Sequence, residues 1–365
     1  MLAIPYFILS FITGFIAKLV PNAKNDEYGE LTNKRKSTNA KTGFIVICLI
    51  IIVFSAFRTL TGPGIDEYAY RNRYDSFNNK SLSELLNSED SAEPIITTIF
   101  WFATRITTTN QGGIIITAFL TLLLILLSLR RDAKDFSYAV IMFFATGCLF
   151  STFNGIAQYL AAAISLYSFK YVYNKQLFKF FIAVCICCMV HSASIILILL
   201  YFICNTKLGS AKMYLFDLLF LASIVIMYKL IPVFSTQSDF LDLNKYQDIV
   251  IAGHHGVNLF TIIISIAPAI IAILIAPKIE SDDRVTSVTA HMTIINALIY
   301  IAGSMDVYIA RFALFTDIFV VIFLSRAFKY IYDKHGVLKI MTVVLYSCVT
   351  LYRMSSLYYS FNFVW

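Results

Sequence analysis

Residues 113–130 read GIIITAFLTLLLILLSLR, and this run carries no charged residue before Arg130. At about 1.5 Å of rise per residue, a helix of this length crosses most of a hydrocarbon core that is about 30 Å thick. A helix also satisfies its own backbone hydrogen bonds, which a lipid environment requires. The stretch therefore predicts a transmembrane α-helix.

The rest of the chain repeats this pattern. Of its residues 59% are hydrophobic and 14% are charged, and the mean hydropathy is +0.74. These values exclude an ordinary soluble domain and predict an all-α polytopic membrane protein. The first run has no basic leader and no small-residue cleavage site, so we interpret it as a retained span. Further apolar runs occur at residues 4–20, 44–58, 136–151, 155–172, 213–231, 259–276, 286–302, 308–325 and 337–352.

Residues 179–204 form one more apolar region, which is interrupted at His191. It can be one long span or a short broken hairpin. Lysines flank it on both sides, at Lys179 and Lys207. If both flanks are cytoplasmic, the chain must turn back near His191, and each arm rises only about 20 Å, which places the turn inside the protein. With this hairpin, about 12 transmembrane helices are predicted, within a single integral membrane domain over residues 1–365.

The basic residues predict the orientation. They favour one side of these spans by about two to one, which places both termini and two long loops, 58–111 and 232–258, on the far, periplasmic side. The first loop contains Glu93–Thr109, which we interpret as an amphipathic helix at the membrane interface. Because the net charge of +7 is spread over short loops, it predicts no nucleic-acid partner.

A cluster of charges opens the first of these loops, in the sequence RTLTGPGIDEYAYRNRY at residues 58–74. Arg58 ends an apolar run, and the turn-forming residues 62–64 can fold Asp66 back toward it. Arg58 then either binds a diphosphate through its planar fork or forms a plain ion pair. We interpret Arg71 and Arg73 as the solvated flank of this cluster.

Four polar residues lie inside the later apolar runs or at their edges. Asn154 and Gln158 share one helical face, where they can bind substrate, cap the helix or join helices. His191 is either a functional group in a recessed cavity or a satisfied core residue. Arg311 opens a late run and needs either a carboxylate or a substrate phosphate as its partner.

No metal or cofactor is predicted. Cys185 and Cys188 spell CxxC inside an apolar run without a second pair, and the adjacent His254 and His255 diverge on any regular element. The sequence holds no glycine pattern for nucleotide binding, which argues against an ATP-driven pump.

These residues, taken in order, resemble the EpsG-like branch of the Wzy-type O-antigen and exopolysaccharide polymerases. The resemblance covers roughly residues 55–325 and departs from the family at Ala157, where an arginine is common, and at Ile95, where a glycine is common. It rests on Arg58, Gly64-x-Asp66, Tyr70, Glu93-Pro94, Asn154-x-x-x-Gln158 with the alanines that follow, His191-Ser192-Ala193 and Arg311.

The resemblance implies a GT-C-like glycosyltransferase of the bacterial inner membrane that works on its periplasmic side. Its substrates would be oligosaccharide repeat units on undecaprenyl diphosphate, with membrane lipid and a chain-length regulator protein as further partners. In this interpretation Arg58 and Arg311 hold the diphosphate, while Tyr70, Asn154 and Gln158 bind substrate. An inverting transfer also needs a base, for which Asp66 is the first candidate and Glu93 the second; His191 is a base or a hydrogen-bonding group.

Three rival functions share parts of this pattern. A flippase or exporter of the same glycan would need the spans and the cations but no carboxylate beside them. An O-antigen ligase would transfer finished polymer to a lipid core. A membrane acyltransferase would need an acid beside His191, and none lies near it in sequence.

Overall fold

The protein is described here by a computed structural model, which covers residues 3–20, 34–61, 66–87, 93–234, 256–331, 336–356 and 360–363. These residues fall into two compact units, which are described separately. Unit 1 comprises Met1–Leu197 and Leu324–Trp365, and unit 2 comprises Ile198–Phe323.

Unit 1 is almost entirely helical. Its helices, in chain order, are α1 (Ala3–Ala17), α2 (Lys34–Ala56), α3 (Glu67–Phe77), α4 (Leu82–Leu86), α5 (Pro94–Ile106), α6 (Gly112–Asp132), α7 (Phe136–Ala145), α8 (Cys148–Ser151), α9 (Ile156–Ser168), α10 (Lys170–Tyr173) and α11 (Leu177–Val190). A 3-10 helix (Ser192–Ile196) and the start of α12 (Leu197–Cys204) follow, and α17 (Asp317–Ile331) and α18 (Gly336–Ser356) return to this unit.

Helix α6, which contains the apolar run 113–130, is the centre of unit 1. It packs against α2, α5 and α9, and its side chains Ile125, Leu126 and Leu129 are fully buried. The approach of α5 is close because Gly113 has no side chain: a Cβ there would lie 2.5 Å from the ring of Phe100. The predicted transmembrane helix is thus also the packing core of this unit.

A short two-stranded antiparallel pairing adds to the helices. Strand β1 (Arg58–Thr61) directly follows α2, and strand β2 (Ser360–Phe363) follows α18. Arg58 lies opposite Phe363 in the register. The all-α prediction did not include this ribbon.

Unit 2 contains the remaining elements. They are the rest of α12, α13 (Ala211–Phe234), α14 (Leu259–Ile275), a 3-10 helix (Ala276–Lys278), α15 (Arg284–Ala302), α16 (Val307–Ala310), a 3-10 helix (Arg311–Phe315) and the start of α17. Helix α15 packs against α13 and α14 and buries most of its side chains, including His291 and Asn296.

The helical membrane architecture agrees with the sequence prediction at a coarse level. Among the described residues, four helices are long and apolar enough to cross a membrane, and a fifth crossing results if a pair bent by 49° forms one span. The helices are Gly112–Asp132, Leu259–Lys278, Arg284–Ala302 and Gly336–Met354, and the bent pair is Tyr308–Phe315 with Asp317–Ile331. At several other predicted spans, the structure has apolar helices of only 10–17 residues. The number of 12 transmembrane helices therefore stays a prediction.

Helix α11 ends one residue before His191, as the hairpin interpretation requires. His191 has an extended backbone (φ −153°, ψ 115°) and is followed by 3-10 rather than α-helix. The break is therefore confirmed, whereas the return of the second arm stays a prediction. The helix expected over Glu93–Thr109 is present as α5. The turn at 62–64, His254, His255 and most of the loop 232–258 lie outside the described residues.

Candidate active site

A buried ionic cluster joins α2, β1, α3 and α6 in unit 1. The Glu67 side chain is 1% exposed and accepts from Arg71 Nη2 at 2.8 Å and from Arg71 Nε at 3.2 Å. Arg71 also donates to Asn110 Oδ1 at 2.9 Å and to Gln111 Oε1. Gln111 in turn donates to the carbonyl oxygens of Ala56 (2.9 Å) and Arg58 (2.7 Å). The interpretation of Arg71 as a solvated flank was wrong, because three neighbours hold its guanidinium.

Arg58 belongs to this cluster and is only 1% exposed. Its Nη2 donates to the carbonyl oxygen of Phe153 at 2.8 Å, its Nη1 donates to that of Ser55, and its guanidinium carbon lies 4.4 Å from the centre of the Phe153 ring. Both terminal nitrogens of Arg58 therefore bind backbone of the protein itself, at the end of α2 and before α9, whereas its buried Nε has no hydrogen-bond partner among the described residues. The Arg58 side chain thus links the backbone at Ser55 to the backbone at Phe153.

The N-terminus of α9 is bound by side chains of the first loop. The first amides of a helix have no partner within the helix. Here the Gly155 amide donates to Asp66 Oδ2 at 3.1 Å, and the Ala157 amide donates to the hydroxyl of Tyr70 at 3.3 Å. The Oδ1 atom of Asn154 in turn accepts a hydrogen bond from the Asp66 amide at 2.8 Å. The structure thus brings Asp66, Tyr70 and Asn154 together at one helix terminus, where the Asp66 carboxylate also suits the positive end of the helix dipole.

Gly155 makes this arrangement possible, since it adopts a left-handed conformation (φ +64°). We expect Gly155→Ala to lower the stability of the protein by about 1–2 kcal/mol, because a Cβ is strained in this conformation. Thermal unfolding in detergent measures the effect. Gly336→Ala is the matched control, because a Cβ at Gly336 would meet no atom within 4 Å. Equal unfolding temperatures for the two variants would contradict the assignment.

The second pair of candidate residues, Glu93 and His191, is joined directly. The Oε1 atom of Glu93 lies 2.6 Å from Nδ1 of His191, and each side chain is 19% exposed. Glu93 immediately precedes α5, His191 immediately follows α11, and these two helices pack against each other. An acid thus lies beside His191, although 98 residues separate the two in sequence.

Tyr70 links this pair to the α9 terminus. Its ring packs against Phe100 of α5 with the centroids 5.3 Å apart. Burial raises the pKa of the Tyr70 hydroxyl above its ordinary value, and the nearby carboxylates of Glu93 and Asp66 raise it further. The hydroxyl therefore stays protonated at neutral pH. It can donate a hydrogen bond beside Glu93, but it cannot serve as a base.

Arg73 is the cation next to these groups. Its charge is close enough to Tyr70 to oppose the effect of the carboxylates on the pKa of that residue. Its side chain is half-buried, and within the described ranges its guanidinium makes no hydrogen bond or ion pair. The sequence analysis grouped Arg73 with the solvated flank. In the structure, the guanidinium of Arg73 can donate hydrogen bonds to a ligand near Tyr70.

Two further candidates are Gln158 of unit 1 and Arg311 of unit 2. Gln158 is buried on α9, with an exposed fraction of 7%. Arg311 begins the 3-10 helix of unit 2, and its guanidinium lies 5.0 Å from the centre of the Tyr308 ring. Asp317 accepts from Asn296 Nδ2 at 2.8 Å and from Tyr300 at 3.2 Å. Two side chains of α15 therefore donate to the Asp317 carboxylate.

No group of three or more metal-binding side chains occurs within the residues that the structure describes. The groups described above include a proton acceptor in Glu93, a hydrogen-bond donor in Tyr70 and a cation in Arg73.

Comparison with known proteins identifies the family. A family model described as the EpsG family matches residues 41–364. The chain belongs to the EpsG family. This membership confirms the resemblance that the order of motifs had indicated, and at a coarse level it points to a membrane glycosyltransferase with a polymerase-like role on lipid-linked polysaccharide substrates. No curated protein and no solved structure matches the chain.

Within this EpsG-family protein, sequence reasoning missed three participants, Glu67, Gln111 and Arg73. Glu67 and Arg71 stand four residues apart, which is the spacing of an ion pair on a helix, so that signal was present. Gln111 precedes α6 and gave no signal, because its partners, the backbone of Ala56 and Arg58 and the side chain of Arg71, lie 40 or more residues earlier in the chain.

Proposed function

We propose that this protein is an O-antigen-type polymerase. It joins oligosaccharide repeat units carried on undecaprenyl diphosphate, by inverting glycosyl transfer on the periplasmic side of the bacterial inner membrane. Membership of the EpsG family supports the polymerase role, and the paired Glu93 and His191 supply the chemistry. The predicted 12 spans and the GT-C-like architecture belong to this proposal.

The proposed reaction is a single displacement. A hydroxyl oxygen of one repeat unit attacks the anomeric carbon of another, the bond from that carbon to the diphosphate oxygen breaks, and the diphosphate leaves with the bonding electron pair. Glu93 accepts the hydroxyl proton as the new bond forms. No covalent intermediate on the protein is needed.

We assign the base to Glu93 and give Asp66 a positioning role. What supports Glu93 is its 2.6 Å contact with His191, which fixes one carboxylate oxygen while the partly exposed group stays within reach of a substrate. The Asp66 carboxylate instead binds the amide of Gly155. Asp66 therefore holds the first loop on α9 and keeps Tyr70 beside Glu93.

We assign the diphosphate to Arg73 of unit 1. The role of Arg311 as a diphosphate ligand stays a prediction from the sequence pattern. A leaving diphosphate needs cations that stabilise its growing charge. Arg58 is instead assigned a positioning role, because its burial and its bonds to Phe153 and Ser55 commit it to the protein. Asn154 and Gln158 are assigned to the walls of the site around α9.

Arg73→Gln tests the cation assignment. We expect the KM for the lipid-linked donor to rise about tenfold or more, because one charge-assisted contact to the diphosphate is lost. Arg105→Gln is the matched control: Arg105 lies in the same loop, but its donors bind the carbonyl oxygens of Asn78 and Lys80. If both variants changed KM equally, Arg73 would be only part of a general surface charge.

The function itself is tested with purified protein and a lipid-diphosphate-linked repeat unit. A ladder of products with increasing numbers of repeat units supports the polymerase. Single transfer to a lipid core acceptor would indicate a ligase instead, and movement of the substrate across a vesicle membrane without lengthening would indicate a flippase. The assay thus separates the three functions by their products.

A further inference from the structure

A small polar cavity lies beside Arg58 in unit 1. Its volume is about 10 Å³, which is close to the room that one buried water molecule needs. The cavity lies where α6 packs against α2 and α9. The polar residues of its lining are Ser55, Arg58, Thr117, Thr121 and Thr152, and the rest of the lining is apolar.

Two buried polar atoms of these lining residues have no hydrogen-bond partner within the described part of the chain. They are Nε of Arg58 and Oγ of Ser55, and each residue is only 1% exposed. The Nε atom carries one N–H donor, and a hydroxyl can both donate and accept. Because a buried polar atom without a partner keeps its full cost of desolvation, both atoms would be stabilised by a hydrogen-bonding molecule in the cavity.

The threonines of the lining can supply further bonds. The hydroxyl of Thr117 donates to the carbonyl oxygen of Gly113, and that of Thr152 donates to the carbonyl oxygen of Leu149, each at 2.7 Å. Their hydroxyl oxygens can still accept a hydrogen bond. A water molecule here could accept from Arg58 Nε and donate to Ser55 and to one threonine. Three bonds are typical of a buried water.

Size and charge restrict what else the cavity can bind. Sites for small organic molecules have volumes of about 300–1,000 Å³, so neither a sugar nor a lipid group fits in about 10 Å³. The guanidinium of Arg58 repels a metal cation. Water fits the volume and can both accept from the guanidinium and donate to a hydroxyl.

We propose that this cavity binds one ordered water molecule, which bridges Nε of Arg58 to the hydroxyl of Ser55 and to a threonine of the lining. The water would complete the hydrogen bonding of the buried guanidinium, whose Nη2 binds the carbonyl oxygen of Phe153. It would thereby help to position the backbone before α9. The proposal does not depend on the function proposed for the protein.

A crystal structure of the unmodified chain at about 2 Å resolution tests the site directly. We expect one density peak at about 2.7–3.2 Å from both Arg58 Nε and Ser55 Oγ. Two results would overturn the proposal. One is the lack of a peak at this position. The other is an anomalous signal there in crystals grown with bromide, which would identify an anion.

Ser55→Ala tests the site in solution, because the two possibilities predict different signs. If the water is bound, the variant loses a hydrogen bond, and we expect the unfolding temperature in detergent to fall by about 2 °C. If the hydroxyl has no partner, its removal relieves a cost of desolvation, and the unfolding temperature stays the same or rises.

Ser165→Ala is the matched control. Ser165 is also 1% exposed, its hydroxyl likewise has no hydrogen-bond partner in the described ranges, and it does not line the cavity. We expect an unchanged or higher unfolding temperature for this variant. Equal changes in the two variants, or a rise for Ser55→Ala, would overturn the proposal.

Discussion

Glu93→Gln is expected to lower kcat for repeat-unit joining by about 10²–10⁴-fold, with KM for the lipid-linked donor nearly unchanged. Glutamine keeps the size of the side chain and can still form a hydrogen bond to His191, but it cannot accept a proton from the attacking hydroxyl. The loss should therefore appear in the chemical step. Product ladders formed by purified protein over a series of donor concentrations measure both constants.

The Asp66→Asn variant distinguishes the role of the Asp66 carboxylate from that of the Glu93 carboxylate. The asparagine oxygen can still accept from the Gly155 amide, so we expect a loss of about tenfold or less. His191→Gln should fall between the two, because it disturbs the orientation of Glu93 without removing the base. If Asp66→Asn were the more damaging of the two carboxylate variants, the base would be Asp66 and the assignment to Glu93 would fail.

Glu67→Gln is expected to give the largest loss of stability, about 3–5 kcal/mol. Its carboxylate is fully buried and binds Arg71, and its charge also acts favourably on the buried Arg58. Without that charge, Arg71 loses its ion pair with Glu67 and the buried guanidinium of Arg58 loses a favourable interaction. The fraction of folded protein in detergent extracts and its unfolding temperature measure the effect.

Glu84→Gln provides the control, since Glu84 lies in the same loop but is exposed. It closes the capping box of α4 with Ser81, and glutamine can take its place in such a box. We expect no measurable change in unfolding temperature for this variant. Equal effects of the two substitutions would mean that the Glu67 cluster does not hold α3 on α6.

The helical membrane fold could be predicted because the bilayer imposes its own constraint. Each apolar run must satisfy its backbone internally, so composition and length suffice to predict a helix such as α6. Breaks inside the runs were harder. The extended residue His191 was inferred from flanking lysines, whereas the interruption at Gly147, whose φ is +76°, gave no comparable charge signal.

The sequence predicted which residues form the site better than it predicted the contacts between them. His191 was selected because an ionisable group inside an apolar run is a functional candidate, Asp66 because a turn can fold it toward Arg58, and Glu93 through the resemblance to the family. Which of them meet was not predictable, because the contacts of Glu93 with His191 and of Asp66 with Gly155 span 98 and 89 residues. Such contacts depend on how α5, α9 and α11 pack, and periodicity within one helix does not encode that packing.

Arg58 is a residue whose two possible roles cannot be distinguished from the sequence. Its position at the end of an apolar run suits a ligand for a diphosphate as well as it suits a structural brace. The burial of its side chain and its bond to the carbonyl oxygen of Phe153 distinguish the two, and neither is visible in the sequence. Arg73, which the sequence gave no reason to prefer, is the arginine whose charge acts on Tyr70.

The most direct test of the central claim is the product distribution from purified, unmodified protein given one lipid-diphosphate-linked repeat unit as its only glycan. The account predicts a ladder of lengthened glycans, with one lipid diphosphate released for each new glycosidic bond and no ladder from the Glu93→Gln variant. An unlengthened repeat unit, recovered intact under conditions in which the protein is folded and the substrate is bound, would contradict it.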